Sequence, residues 1–143
     1  MLGTLKARGF SLVELLLVVL IAAMIIAIIL ANYRDAVMVE RRSLAQKALL
    51  TTAGLQERWF IKLYEYADTI DKLGGSDAAG QNYILKVTQD PCGDTRCYTI
   101  VAMAVGEQDV DQQCEKMSIN SLGVKRAVNR SNEDTTAECW SGV

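Results

Sequence analysis

The stretch FSLVELLLVVLIAAMIIAIILA, residues 10–31, decides the fold class. Among its 22 residues only Ser11 and Glu14 are polar, and the 17 from Leu15 to Ala31 are apolar without a break. At about 1.5 Å of rise per residue such a helix reaches about 33 Å, enough to cross a hydrocarbon core of about 30 Å. It reads as a membrane-spanning helix. Lys6 and Arg8 precede it, and the positive-inside rule keeps that end in the cytoplasm and sends residues 32 onward across the membrane. A secretory signal peptide carries an apolar region of only about 7–15 residues ending at a small-residue cleavage site. This run is longer and no such site follows it, and no cysteine lies nearby to make a lipoprotein.

An ordinary single-pass anchor leaves Glu14 unexplained. A carboxylate inside a membrane helix costs about 2.5–3.5 kcal/mol on insertion scales, so it needs a partner, and the apolar run holds no cation. Cutting the chain after Gly9 would create one: the new α-amine of Phe10 would sit four residues before Glu14. The stretch Lys6-Ala7-Arg8-Gly9-Phe10-Ser11-Leu12-Val13-Glu14 resembles the class III signal of type IV prepilins, with a basic leader, a glycine, an aromatic, a small hydroxyl and Glu at the fifth mature position. The resemblance implies that a membrane-embedded aspartyl prepilin peptidase cuts between Gly9 and Phe10 and methylates the new amine of Phe10. It also implies that Glu14 pairs with the Phe10 N-terminus of a neighbouring subunit during assembly.

Beyond Asn32 the chain becomes charged, yet helix-forming residues continue without proline to about Glu65. Val37, Leu44, Ala48, Thr52, Leu55 and Trp59, widened by Ala45 and Leu49, recur at helical spacing and predict one face packed on a sheet, with Gln56 among the polar residues that fall elsewhere. Asp68, Asp71 and Gly74 to Gly80 supply turn residues, so 66–81 reads as a connection. Strands are expected at 82–88, 97–105 and 116–122, with a short fourth at 124–128 after Leu122-Gly123. The fold class is therefore α+β: a long N-terminal helix, membrane-spanning in its first half, packed on a three- to four-stranded antiparallel sheet. The expected organisation is a leader at 1–9, a transmembrane and filament-core helix at 10–31, and a head at 32–143, made of an amphipathic helix 32–65, the linker 66–81 and a disulfide-bonded sheet region 82–143.

All four cysteines lie in the last third, at spacings that match neither paired zinc-ribbon ligands nor a redox CxxC. Downstream of a membrane segment they predict disulfides. Pro91 to Cys97 reads as a hairpin connection that a Cys92 to Cys97 bridge would close, leaving Cys114 for Cys139, although the sequence allows three pairings.

The pattern Gln56-Glu57-Arg58-Trp59-Phe60, Tyr98-Thr99-Ile100, Cys114 to Gly123 and the closing Cys139-Trp140 is similar to the PilE-type minor pilins of the type IVa system. That resemblance implies a low-abundance subunit that primes pilus assembly and is carried in the fibre, with other pilin subunits, the prepilin peptidase and the inner-membrane assembly machinery as partners. The precursor would be an inner-membrane protein in the lipid bilayer, with its N-terminus cytoplasmic and its head periplasmic. The chain departs from the family in carrying Ala31 and Ala23 where a helix proline and glycine are usual. Those residues favour a continuous helix by up to ~3 and ~1 kcal/mol respectively. The Cys92 and Cys97 pair is also atypical.

Fifteen basic and 17 acidic side chains are mixed along the chain, giving a net charge of −2 and no polybasic tail. Without histidine, neither a Ser-His-Asp triad nor the commonest zinc ligand sets can be built, and no catalytic residue, metal site or cofactor is expected. Two other functions compete with the structural subunit. A DNA-uptake receptor would use Lys116, Lys125, Arg126 and Arg130 on phosphates and Trp140 on a base. Glu115, Glu133, Asp134 and Glu138 oppose those charges, so a nucleic-acid partner is the less favoured reading, with Trp140 packed inward. A type II secretion pseudopilin would share the N-terminal chemistry, but no Asp-rich calcium loop appears near the C-terminus.

Overall fold

The computed structural model describes residues 11–141. The leader expected at 1–9, and the cleavage and methylation expected at Gly9 and Phe10, therefore lie outside the described residues. The chain divides into two compact units, residues 1–37 and 38–143.

In the first unit, helix α1 begins at Leu12 and carries large apolar side chains that are exposed from Leu12 through Ile29. Water does not tolerate a contiguous apolar surface of this size, so it calls for lipid or other subunits as cover. The helix is long and apolar enough to cross a membrane. Its assignment runs unbroken to Leu63 through Ala31, where no proline removes a backbone hydrogen bond.

The second unit is the head. Five strands, β1 (Ala78–Ala79), β2 (Tyr83–Thr88), β3 (Thr99–Ala104), β4 (Lys116–Asn120) and β5 (Lys125–Val128), form one antiparallel sheet in sequential order. The extra strand relative to the expected three or four is β1, two residues inside the expected linker that pair with Tyr83 and Ile84. A short 3-10 turn at Asp71–Leu73 occupies the same connection. The second helix, α2 (Thr136–Cys139), lies near the C-terminus.

Strand alternation creates the core. Leu85, Ala102, Met117 and Ala127 are paired in register across β2 to β5 and are all buried. Val87, Ile100 and Ile119 form the next inward row. Ala45 and Leu49 of α1 complete this cluster, and alanines on both sides allow the helix close approach to the sheet. In the β4–β5 turn, Asn120 Oδ1 accepts the N–H groups of Leu122 and Val124, and Gly123 takes the left-handed φ of 75° that glycine adopts without steric cost.

The buried face of α1 differs from the expected stripe. Leu44 is 44% exposed, whereas Gln46 and Gln56 are buried beside the expected Thr52. Gln56 is inside because its amide is satisfied there: Nε2 donates to Ala67 O and Oε1 accepts from Ala67 N, both at 2.9 Å. The pair substitutes for a strand partner and ties the chain leaving α1 back onto it. Removing it strands two buried backbone groups, so Gln56→Ala is expected to cost about 2–3 kcal/mol, read as a lower midpoint in a denaturant melt of the head signal.

Candidate functional site

Glu14, in the first turn of α1, is exposed and makes no ion pair among the described residues. Among the described residues of the first unit, nothing neutralises its charge locally. A carboxylate so situated is suited to meeting a charge brought by another molecule.

The head has a different electrostatic plan, centred on the acidic segment Glu107 to Glu115. Asp111, whose side chain is 1% exposed, receives a bidentate Arg42 guanidinium at 2.6 and 2.7 Å. It also accepts Gln108 Nε2 at 2.8 Å and the N–H groups of Gln113 and Cys114 at 3.1 and 3.2 Å. Burial alone would push the carboxyl up, but the Arg42 bond and charge and the two backbone donors outweigh it and hold the group below the ordinary carboxylate range. The same bond raises the guanidinium of Arg42. Tyr83 donates to Cys114 O, and burial, with the Asp111 charge beside it, pushes its hydroxyl up to about 12. Arg41 pairs with Glu107, and Arg130 with Asp109 at 2.8 Å and Glu115 at 3.8 Å. Three arginines thus absorb the acids of this segment.

At the other end of the core, Glu57 accepts from the hydroxyls of Tyr66 and Tyr98, and the Tyr66 ring lies between Phe60 and Tyr98 at centroid distances of 4.7 and 4.8 Å. Burial, then the Glu57 charge, raises both phenols.

Disulfides join Cys92 to Cys97 and Cys114 to Cys139. The second ties the start of β4 to α2, and closing a loop of this length contributes about 3–4 kcal/mol on the chain-entropy model.

These constraints disperse the cations that sequence alone had grouped. Trp140 is 7% exposed, its Nε1 donates to Arg126 O at 3.1 Å, and Lys125 Nζ sits 4.9 Å above its ring. The indole is therefore not free to stack a base, and Lys125 is engaged by the ring rather than presented to a phosphate. Arg130 is held by its two acids. Lys116 and Arg126 remain, and strand register adds a residue that the sequence reading missed. Lys86 aligns through Val101 and Ser118 with Arg126, on the face opposite the core, and Lys116 lies two residues from Ser118 on the same face. Alternation along β2 sets Lys86 opposite the buried Tyr83, Leu85 and Val87. Its alignment with Arg126 required the register of three strand pairs.

Comparison with known proteins gives two positive findings. The family model described as type IV minor pilin ComP, DNA uptake sequence receptor, matches residues 31–118, more than half of the chain. Among solved structures, a type IV pilin from Shewanella oneidensis is similar, with a TM-score of 0.50 and 23% identity over 62% of this chain and 89% of that one. At that identity the likeness speaks to the fold. Comparison with the curated proteins gives no match.

Proposed function

Since this chain belongs to the type IV minor pilin family described as ComP, DNA uptake sequence receptor, we propose that its work as a pilus subunit rests on an assembly chemistry carried by Gly9, Phe10 and Glu14. A minor pilin acts among other pilin subunits, from a membrane-anchored precursor held by its apolar helix. The observation that carries the finer reading is Glu14, the one charged residue in the apolar first part of α1, Leu12 to Ala31, with no ion-pair partner among the described residues.

In this reading a prepilin peptidase cuts between Gly9 and Phe10 and methylates the new amine. The N-terminus stays on the cytoplasmic side and the head lies in the periplasm, where both disulfides can form. Assembly machinery of the inner membrane then extracts the subunit from lipid. Within the helix bundle the Phe10 amine meets Glu14 of a neighbour, in a medium where two charges attract far more strongly than in water. Co-expression with a prepilin peptidase followed by intact-mass measurement tests the first step. The expected product lacks residues 1–9 and carries one added methyl group; a product still beginning at Met1 refutes it.

A second reading, that the head also contacts DNA, is favoured by the sorting of its charges. Acids near Arg41, Arg42 and Arg130 are consumed by those arginines, so they do not cancel cations elsewhere. The family description names a DNA uptake sequence receptor, which makes DNA the polyanion to test.

A further inference from the structure

We propose that the solvent face of the sheet, opposite α1, is a backbone-contacting surface for duplex DNA built from Lys86, Lys116 and Arg126. The inference rests on the DNA reading above and assigns it a surface.

Register decides which side chains share this face. Core-facing positions are Tyr83, Leu85 and Val87 on β2, Ile100, Ala102 and Ala104 on β3, Met117 and Ile119 on β4, and Ala127 on β5. The alternate positions look outward. On β2 to β5 these outward positions carry three cations and no carboxylate. Thr88, Thr99 and Asn120 form one polar row at the end of the face, and Ser118 stands between Lys86 and Arg126. Hydroxyl and amide groups of this kind bond phosphate oxygens alongside lysine and arginine.

Acids lie only at the two margins. Asp68, Asp71 and Asp77 share an open cleft with Lys86, Asp68 being held by Lys72 at 2.8 Å, and Asp134 feels the charge of Arg126 while its carboxylate caps Thr136 N–H at 2.9 Å. Between the margins, Lys116 makes no ion pair among the described residues. Its sequence neighbour Glu115 is turned to Arg130 instead.

The face favours a duplex over a single strand. Proteins that hold unpaired bases offer aromatic rings for stacking, and none of the outward positions of β2 to β5 is aromatic. Trp140 is packed behind β5. Adjacent strands lie about 4.8 Å apart, so Lys86 and Arg126, three strands apart, span about 14 Å. A rigid backbone laid across that width meets the three cations without base contact.

Contact with three phosphates predicts a slope of about −2.7 for log affinity against log salt, or about forty-fold weaker binding at 200 mM than at 50 mM salt. The test is fluorescence anisotropy of a short labelled duplex, and of one of its strands, with the full chain in detergent. The parent is expected to follow that slope and to prefer the duplex. Lys86→Gln and Arg126→Gln, both at exposed positions, are each expected to reduce the slope by about 0.9. The triple variant with Lys116→Gln should bring it near zero, and the corresponding Lys→Arg changes should retain it. Parent binding that persists unchanged in the variants overturns this surface and leaves the DNA reading standing. Absence of duplex binding by the parent at low salt overturns both. Equal or tighter binding of the single strand overturns the assignment to a duplex.

Discussion

Glu14→Val is expected to leave the chain inserted and cleaved yet to cut its recovery in sheared filaments by at least about tenfold. The substitution makes the helix more apolar, so membrane insertion does not suffer. In the proposed assembly chemistry, what it removes is one half of an intermolecular pair. On that proposal a parent subunit in register satisfies both its carboxylate and its neighbour's amine, whereas the variant leaves that amine buried without a counter-charge. An uncompensated charge in a membrane helix costs about 2.5–3.5 kcal/mol on insertion scales, and every 1.4 kcal/mol is a tenfold change in an equilibrium. Incorporation can be read as the ratio of variant to parent in purified pili, with the membrane pool as the denominator. Parental incorporation of a correctly cleaved Glu14→Val chain would end the proposal that Glu14 sets register. Incorporation that fails together with cleavage would instead move the role of Glu14 to processing.

The second large effect is expected at Asp111. Its carboxylate holds Arg42, Gln108 and the backbone of Gln113 and Cys114 in one place, so Asp111→Ala removes one charge and orphans several donors at once. Breaking a buried ion pair in this way costs about 3–5 kcal/mol, which for a domain of this size lowers the melting midpoint by at least about 12 °C. The double variant Arg42→Met with Asp111→Leu should recover much of that loss, because it leaves no charge unpaired. A single variant that melts with the parent would show that the pair contributes nothing.

The same carboxylate sets an acid limit on the head. Its folded value lies below the ordinary one near 3.9, so its contribution is complete above the unfolded value and fades as pH falls through the folded one. The parent melting midpoint should drop over that interval, and Asp111→Asn should lack this component of the drop. Identical pH profiles would remove Asp111 as the cause.

Comparison of these sites explains why some features were legible in the chain and others were not. The membrane helix was legible because transfer free energy sums over consecutive residues and needs no partner. Glu14 was legible for the same reason, as a local exception in that sum. Alternation marks β2 and β4, β-branched and apolar content marks β3, and the Leu122-Gly123 turn announces β5, whereas the two alanines of β1 carry no periodic signal. Gln56 falls off the predicted stripe because its burial depends on Ala67, eleven positions away, offering both its N–H and its C=O to one amide. Leu44 went the other way: it fits the spacing of the stripe, but the part of the helix covered by the sheet runs through Ala45, Leu49 and Thr52.

The order of residues by itself determined an apolar helix with one carboxylate, a resemblance to a prepilin signal before it, and a small α+β head with its cysteines confined to the last third. Tertiary structure alone decided which charges meet. Arg42 finds Asp111 across 69 positions, Arg130 is claimed by Asp109 and Glu115, Trp140 turns inward under Lys125, and Lys86 comes into line with Arg126. Hydropathy is a property of neighbours along the chain, whereas Coulomb attraction and strand register join residues far apart in it, and only the folded sheet brings those distances down to a few ångströms.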